Sequence, residues 1–203
     1  MLYNLLSPLS EQFLFFNLFR YLTFRTGGAV ITALLVCFIV GPYFIRWLRS
    51  QPRYAQPIRE DGPQGHIVKK QGTPTMGGFL ILFSVTVATL LWADLSNQYV
   101  WIVVMVTLGF GLVGFVDDYS KVKGGTHRGL PGRLRLGVEF GICLVATVWL
   151  ALIAPENLSN QLAFPFVKDF MLDLGWFFVP FGMFVIVGTA NAVNLGSRHS
   201  PCR

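Results

Sequence analysis

Residues 99–118 read YVWIVVMVTLGFGLVGFVDD. The stretch up to Val116 carries no charge, and an apolar run of this length suits a membrane-spanning helix, which needs about 20 residues. It ends on paired carboxylates, Asp117 and Asp118, and Lys121, Lys123, Arg128, Arg133 and Arg135 follow closely. A span can end on a single Lys or Arg. Two acids ringed by cations at a membrane surface also suit the handling of a metal ion and a phosphate. Ordinary flanking residues at the lipid boundary are the alternative reading.

The rest of the 203-residue chain has the same character. It is 53% hydrophobic and 13% charged, against roughly a quarter charged in soluble domains. The apolar residues gather into long runs, so the fold class expected is an all-α polytopic transmembrane bundle. Five spans are predicted: Gly28 to Trp47, Met76 to Ala93, Tyr99 to Val116, Leu136 to Ile153 and Leu174 to Val193. Each is bounded by charge, Pro or Gly. Leu14 to Phe19 is apolar but short and reads as an interfacial segment. The formal charge of +6 does not imply nucleic acid, because the basic residues fall between apolar runs rather than along one face.

Charge placement sets an expected topology. One loop holds Arg46, Arg49, Arg53, Arg59, Lys69 and Lys70, the loop after the acid pair holds the five cations named above, and the tail holds Arg198 and Arg203. Only Arg20, Arg25 and Lys168 of the 16 basic residues lie elsewhere. Basic loops stay cytoplasmic, so the N-terminus is expected outside, and the acid pair and the C-terminus inside.

Several motifs carry two readings. The loop KKQGTPTMGG, residues 69–78, sets two cations before a turn and paired glycines at a helix start. Free N–H groups there, beside hydroxyls and a cation, suit a phosphate; a helix capped by Thr73 or Thr75 is the plainer reading. Asn191 and Asn194 lie on one helical face and could orient a polar headgroup or a nucleotide, or hydrogen-bond between helices. Glu139, inside the fourth span, lines a polar groove, snorkels to the interface or pairs with a nearby Arg. Gly109, Gly111 and Gly114 fit the dinucleotide-binding pattern in spacing alone. The apolar run continues through them, so they read as sites of close helix approach, as do Gly137 and Gly141. The cysteines Cys37, Cys143 and Cys202 have no metal-ligand spacing, and His66, His127 and His199 are isolated in loops.

Taken together, the motifs YLTFR (21–25), REDGP (59–63), GTPTMGG (72–78), GFVDDY (114–119) and NAVNL (191–195) resemble, in order and spacing, the bacterial phospho-N-acetylmuramoyl-pentapeptide transferase family. The resemblance implies transfer of a phospho-sugar-pentapeptide from its UDP-linked precursor to undecaprenyl phosphate, with release of UMP and use of Mg²⁺. It implies a multi-pass protein of the bacterial inner membrane with a cytoplasmic active face, and it leaves room for a homo-oligomer. It places Asp117 and Asp118 in the catalytic site, the first as base for the lipid phosphate. Lys70, Thr75, Lys121, Asn191 and Asn194 are the implied substrate-binding residues, and no metal ligands are assigned. Arg135 stands where the family more often has lysine, and no role is assigned to it.

The resemblance stops at Leu195. The family continues Thr-Asp-Gly-Leu-Asp-Gly, whereas residues 196–203 here read GSRHSPCR. The expectation is an N-terminal half, residues 1–195, of a ten-span membrane transferase domain, with a frameshifted tail and no activity by itself. A small transporter and a non-catalytic membrane fragment are the rival classes. Against the transporter, the charges gather at one surface rather than at the midplane.

Overall fold

The computed structural model describes residues 1–6, 14–50, 77–124, 129–155, 160–163 and 171–199. Along the chain come α1 (Leu2–Leu6), a 3₁₀ turn (Leu14–Arg20), α2 (Leu22–Ser50), α3 (Gly77–Trp92), α4 (Gln98–Gly124), α5 (Gly132–Ile153), the short strands β1 (Gln161–Ala163) and β2 (Met171–Asp173), a second 3₁₀ turn (Gly175–Phe177) and α6 (Phe178–His199). These divide into two units, Met1–Pro131 and Gly132–Arg203.

Among the described residues, four segments are long and apolar enough to cross a membrane: Leu22–Leu48, Gln98–Lys121, Gly132–Ile153 and Gly175–Val193. The predicted second span becomes α3, an apolar helix of 16 residues. At 1.5 Å per residue it covers about 24 Å, short of a hydrocarbon core of about 30 Å. It ends where a turn takes over. Ser96 N–H bonds the Asp94 side chain at 3.0 Å, and Tyr99 N–H bonds the Asn97 side chain at 3.0 Å, opening α4. The Met1 amino group donates to the carbonyls of Leu90 and Ala93 at the C-terminal end of α3, where carbonyls lack helical partners.

In the first unit, α2 and α3 run antiparallel. The Trp92 indole lies against Gly28 near the start of α2 and donates to Thr32 Oγ1 at 2.9 Å. At the other end Phe44 stacks on Phe79, with centroids 5.8 Å apart. Helices α3 and α4 are antiparallel too, through Leu82 beside Gly111 and Phe79 beside Phe115. The C-terminal ends of α2 and α4 therefore share a side of this unit with the start of α3.

Large side chains face outward: Phe38 is 75% and Leu152 79% exposed. Lipid is as apolar as Leu, so close contact rather than hydrophobic expulsion holds such helices. The buried positions are accordingly small or medium. Helix α3 buries Leu80, Ser84 and Ala88, a stripe of every fourth residue. Ser84 is satisfied by the Leu80 carbonyl at 2.8 Å.

The second unit pairs α5 with α6, also antiparallel. The buried stripe of α5 is Glu139, Cys143, Ala146 and Thr147, and Gly182 of α6 approaches the Thr147 methyl. A two-stranded antiparallel ribbon pairs Leu162 with Leu172. The sequence reading did not foresee this ribbon, whose strands are three residues each. Trp176, in the 3₁₀ turn before α6, is 95% exposed.

The glycine readings divide. A Cβ at Gly111 would collide with Leu82, so this glycine does mark close helix approach, whereas Gly114, Gly137 and Gly141 have open space where a Cβ would stand. The expected packing role of Gly137 and Gly141 is thus not seen among the described residues; the contact stripe of α5 lies elsewhere on the helix. Gly28→Ala is expected to destabilise the first unit by about 1–3 kcal/mol, the usual cost of overpacking, because a planar indole cannot give way as an aliphatic chain can. Gly114→Ala should stay within about 0.5 kcal/mol of the parent. Denaturant titration of the two variants in mixed micelles checks the difference.

Candidate functional site

Helix α4 continues past its apolar run, so Asp117 and Asp118 are followed on the same helix by Lys121, one turn on. Spacings of three and four residues set side chains side by side. Lys121 Nζ lies 2.5 Å from Asp117 Oδ2 and 3.1 Å from Asp118 Oδ1. The two acids are not equivalent. Asp117 Oδ1 also accepts the backbone N–H of Leu130 at 2.8 Å, and the Asp117 side chain is 13% exposed against 44% for Asp118. The chain passes so close to Asp117 that a side chain at Gly129 would run into its carboxylate. Asp117 thus fastens the segment entering α5, while Asp118 keeps an open face.

That face adjoins a groove of about 410 Å³ between α3 and α4, lined by Phe79, Leu82, Val85, Thr107 and Phe115, among others, with Asp118 as its acidic member. An apolar slot with a carboxylate beside it suits an amphiphile with a long hydrocarbon tail.

The second unit holds a separate polar cluster. Glu139 is 3% exposed. Its Oε1 accepts from Arg135 Nε at 2.8 Å, one turn earlier on α5, and its Oε2 accepts from Asn191 Nδ2 of α6 at 2.5 Å. Pairing with an Arg was one of the sequence readings of Glu139; the burial and the link to α6 were not foreseen. The i,i+4 spacing of Arg135 and Glu139 was the available signal for the ion pair. Asn191 bonds between helices, the plainer of its two sequence readings, which leaves open whether it also meets a ligand.

Of the other expected site residues, Lys70 and Thr75 lie outside the described residues, as do His66 and His127. Asn194 falls within α6, but its side chain is not described. No group of three or more His, Cys, Asp or Glu that could hold a metal occurs among the described residues. Two neighbouring carboxylates do fit Mg²⁺ of the kind that takes one or two protein oxygens and fills its remaining positions with water and substrate phosphates.

Comparison with known proteins agrees with this architecture. Residues 100–196, which include the acid pair, Lys121, Glu139 and Asn191, match the model for glycosyl transferase family 4. Residues 70–82 match the phospho-N-acetylmuramoyl-pentapeptide-transferase signature 1, and this window takes in Lys70, Thr75 and the start of α3. Over these stretches the chain is similar to glycosyl transferase family 4 and to that signature. It is 53% identical over 195 residues to a phospho-N-acetylmuramoyl-pentapeptide-transferase of Granulibacter bethesdensis, covering 96% of this chain and 54% of the relative. It is 52% identical over 200 residues to the protein of the same name from Maricaulis maris, with the same coverage. The chain spans about half the length of the curated relatives it matches.

The unequal environments of the acids make a direct expectation. Asp117→Ala should speed hydrogen exchange at the Leu130 amide about tenfold, as expected for a net hydrogen-bond contribution near 1–1.5 kcal/mol. Asp118→Ala should leave that amide unchanged. Site-resolved exchange by mass spectrometry reads both.

Proposed function

We propose that this chain contributes the acid-pair half of a transferase that moves phospho-N-acetylmuramoyl-pentapeptide from its UDP-linked precursor to undecaprenyl phosphate. The observation that carries the reading is Asp118: half-exposed, paired with Lys121, and standing where a membrane helix and an apolar groove reach the surface. An isoprenoid phosphate has that same division between tail and headgroup.

In the reaction, an oxygen of the lipid phosphate bonds to the sugar-linked phosphorus. The bond from that phosphorus to the bridging oxygen breaks, and UMP leaves with the electron pair. Phosphoryl transfer depends on positioning and on neutralising charge, with little covalent help from the protein. Lys121 offers an ammonium to the phosphate oxygens, and its pairing with both acids fixes where that charge stands. Asp118 is the better placed of the two to meet ligand or metal, and Asp117 holds Lys121 and the segment at Gly129–Leu130 in place. Mg²⁺, when bound at these carboxylates, would supply further positive charge for the phosphates. Lys70 and Thr75, in the signature window, and Asn191 and Asn194 are the proposed contacts to the UDP-linked substrate.

The test joins this chain to the C-terminal half of the Granulibacter bethesdensis relative and follows lipid-linked product. Turnover is expected, and Asp118→Asn should lower it on the order of 10²–10³-fold, the usual loss for one preorganised electrostatic group. Lys70→Ala should weaken binding of the UDP-linked substrate, and more so at low salt, where exposed charges act furthest. Full turnover in an Asp117→Asn/Asp118→Asn double variant would refute the assignment.

The active face is proposed to be cytoplasmic, in the inner membrane. The C-terminal end of α2, with Arg46, and the acid pair lie at one side of the first unit, and the turn at Asp94–Asn97, which has no Lys or Arg, lies at the other. Cysteines introduced at Ser96 or Asn97 should react with an impermeant label applied from outside, and cysteines at His66 or His127 should not. Outside labelling at His127 would reverse the orientation.

A further inference from the structure

A carboxylate buried among membrane helices is costly unless its partners are in place, and Glu139 has two of different kinds. Arg135 meets its charge from one turn away on the same helix. Asn191 reaches it from α6, and the same Asn191 Nδ2 also donates to the Val187 carbonyl at 2.9 Å. An ionised carboxylate and a backbone carbonyl both only accept. The amide must therefore turn its nitrogen to both of them, and its two N–H donors are spent. That assignment follows from the chemistry of the acceptors, although nitrogen and oxygen of an amide look alike in shape. Among the described residues, Asn191 Oδ1 takes part in no hydrogen bond, and the side chain is half-buried rather than sealed.

We propose that Glu139 is a positioning residue: it fixes the Asn191 amide so that the carbonyl oxygen is the function open to a ligand, and the substrate group met there is a hydrogen-bond donor, a hydroxyl or an N–H, rather than a phosphate oxygen. The inference rests on the reading above that Asn191 contacts the UDP-linked substrate. It assigns Asn191 to recognition of the sugar, base or peptide part of that molecule and leaves the phosphates to the cations. Arg135 acts at one remove, by holding the Glu139 carboxylate in register. Removing one member of a buried ion pair is far more disruptive than replacing both, which governs the choice of variants.

The structural arm uses the full 203-residue chain in lipid bilayers, with asparagine side chains labelled for solid-state NMR. In Glu139→Gln and in the charge-balanced Arg135→Gln/Glu139→Gln, the Asn191 amide protons should move upfield as a charged acceptor is replaced by a neutral one. Unchanged resonances in both would overturn the proposal whatever the chain's activity. The Asn191 side-chain carbonyl carbon should respond to UDP-linked substrate and not to inorganic phosphate; an equal response to phosphate would overturn the donor assignment.

The kinetic arm uses the joined transferase. Both Glu139 variants should raise KM for the UDP-linked substrate about tenfold, the scale of one hydrogen bond, with kcat within twofold. The double variant Glu139→Gln/Asn191→Ala should be no worse than Asn191→Ala alone, since both changes remove the same contact. Independent, multiplying effects would mark Glu139 as merely structural and overturn the positioning role. Asn191→Ala with a parental KM, alongside an NMR response to Glu139→Gln, would instead remove Asn191 from the substrate contacts. That outcome refutes this part of the functional reading, and the inference with it, while leaving the acid pair untouched.

Discussion

Hydrocarbon offers apolar side chains as good a home as another helix does, so a protein in it must be held by close approach and by polar bonds that have nowhere else to go. Both are visible here. In the first unit, Gly28 admits the Trp92 ring and Gly111 admits Leu82, contacts that any larger residue would block. In the second, Glu139 ties α5 to α6 through Asn191. The large residues, Phe38, Leu152 and Phe184 among them, are turned outward, the reverse of a water-soluble core and the arrangement that this constraint demands.

The sequence makes the fold class legible because charge is nearly absent from the long runs and dense between them. Their boundaries are less so. Composition marks a span at Gly28 to Trp47, whereas α2 begins at Leu22, because the helix runs on through Arg25 and Thr26, whose hydroxyl donates to the Leu22 carbonyl. Period and composition report what lipid tolerates, and a helix extends wherever its own backbone bonds can be made. The same limit explains Gly137 and Gly141. Their spacing fits a packing motif, yet the face that meets α6 carries Glu139, Cys143, Ala146 and Thr147. Small residues permit approach; which face is approached depends on where the partner's polar groups lie.

The site was legible as a set of residue types but not as a set of roles. Adjacent acids look alike in a sequence, and the distinction between them comes from a contact thirteen residues away, the Leu130 amide on Asp117. Lys121 could be read as a neighbour of both from helical spacing alone. The Glu139–Asn191 bond, across 52 residues, left no trace in spacing. The Arg135–Glu139 half of the network did, and a buried acid whose local partner is already satisfied by pattern is a place to look for a distant one.

That division between near and distant partners also has an order in time. Helix α5 enters the bilayer with Glu139 already one turn from Arg135, so its charge can be compensated within the helix, on the sub-microsecond scale of helix formation. Asn191 is made later, after about 3–10 s of synthesis at about 5–20 residues per second. The nascent chain thus crosses its most awkward interval, a carboxylate in lipid before its tertiary partner exists, as a locally neutral pair. A substitution at Arg135 would then be felt first by the insertion machinery, before any substrate is met.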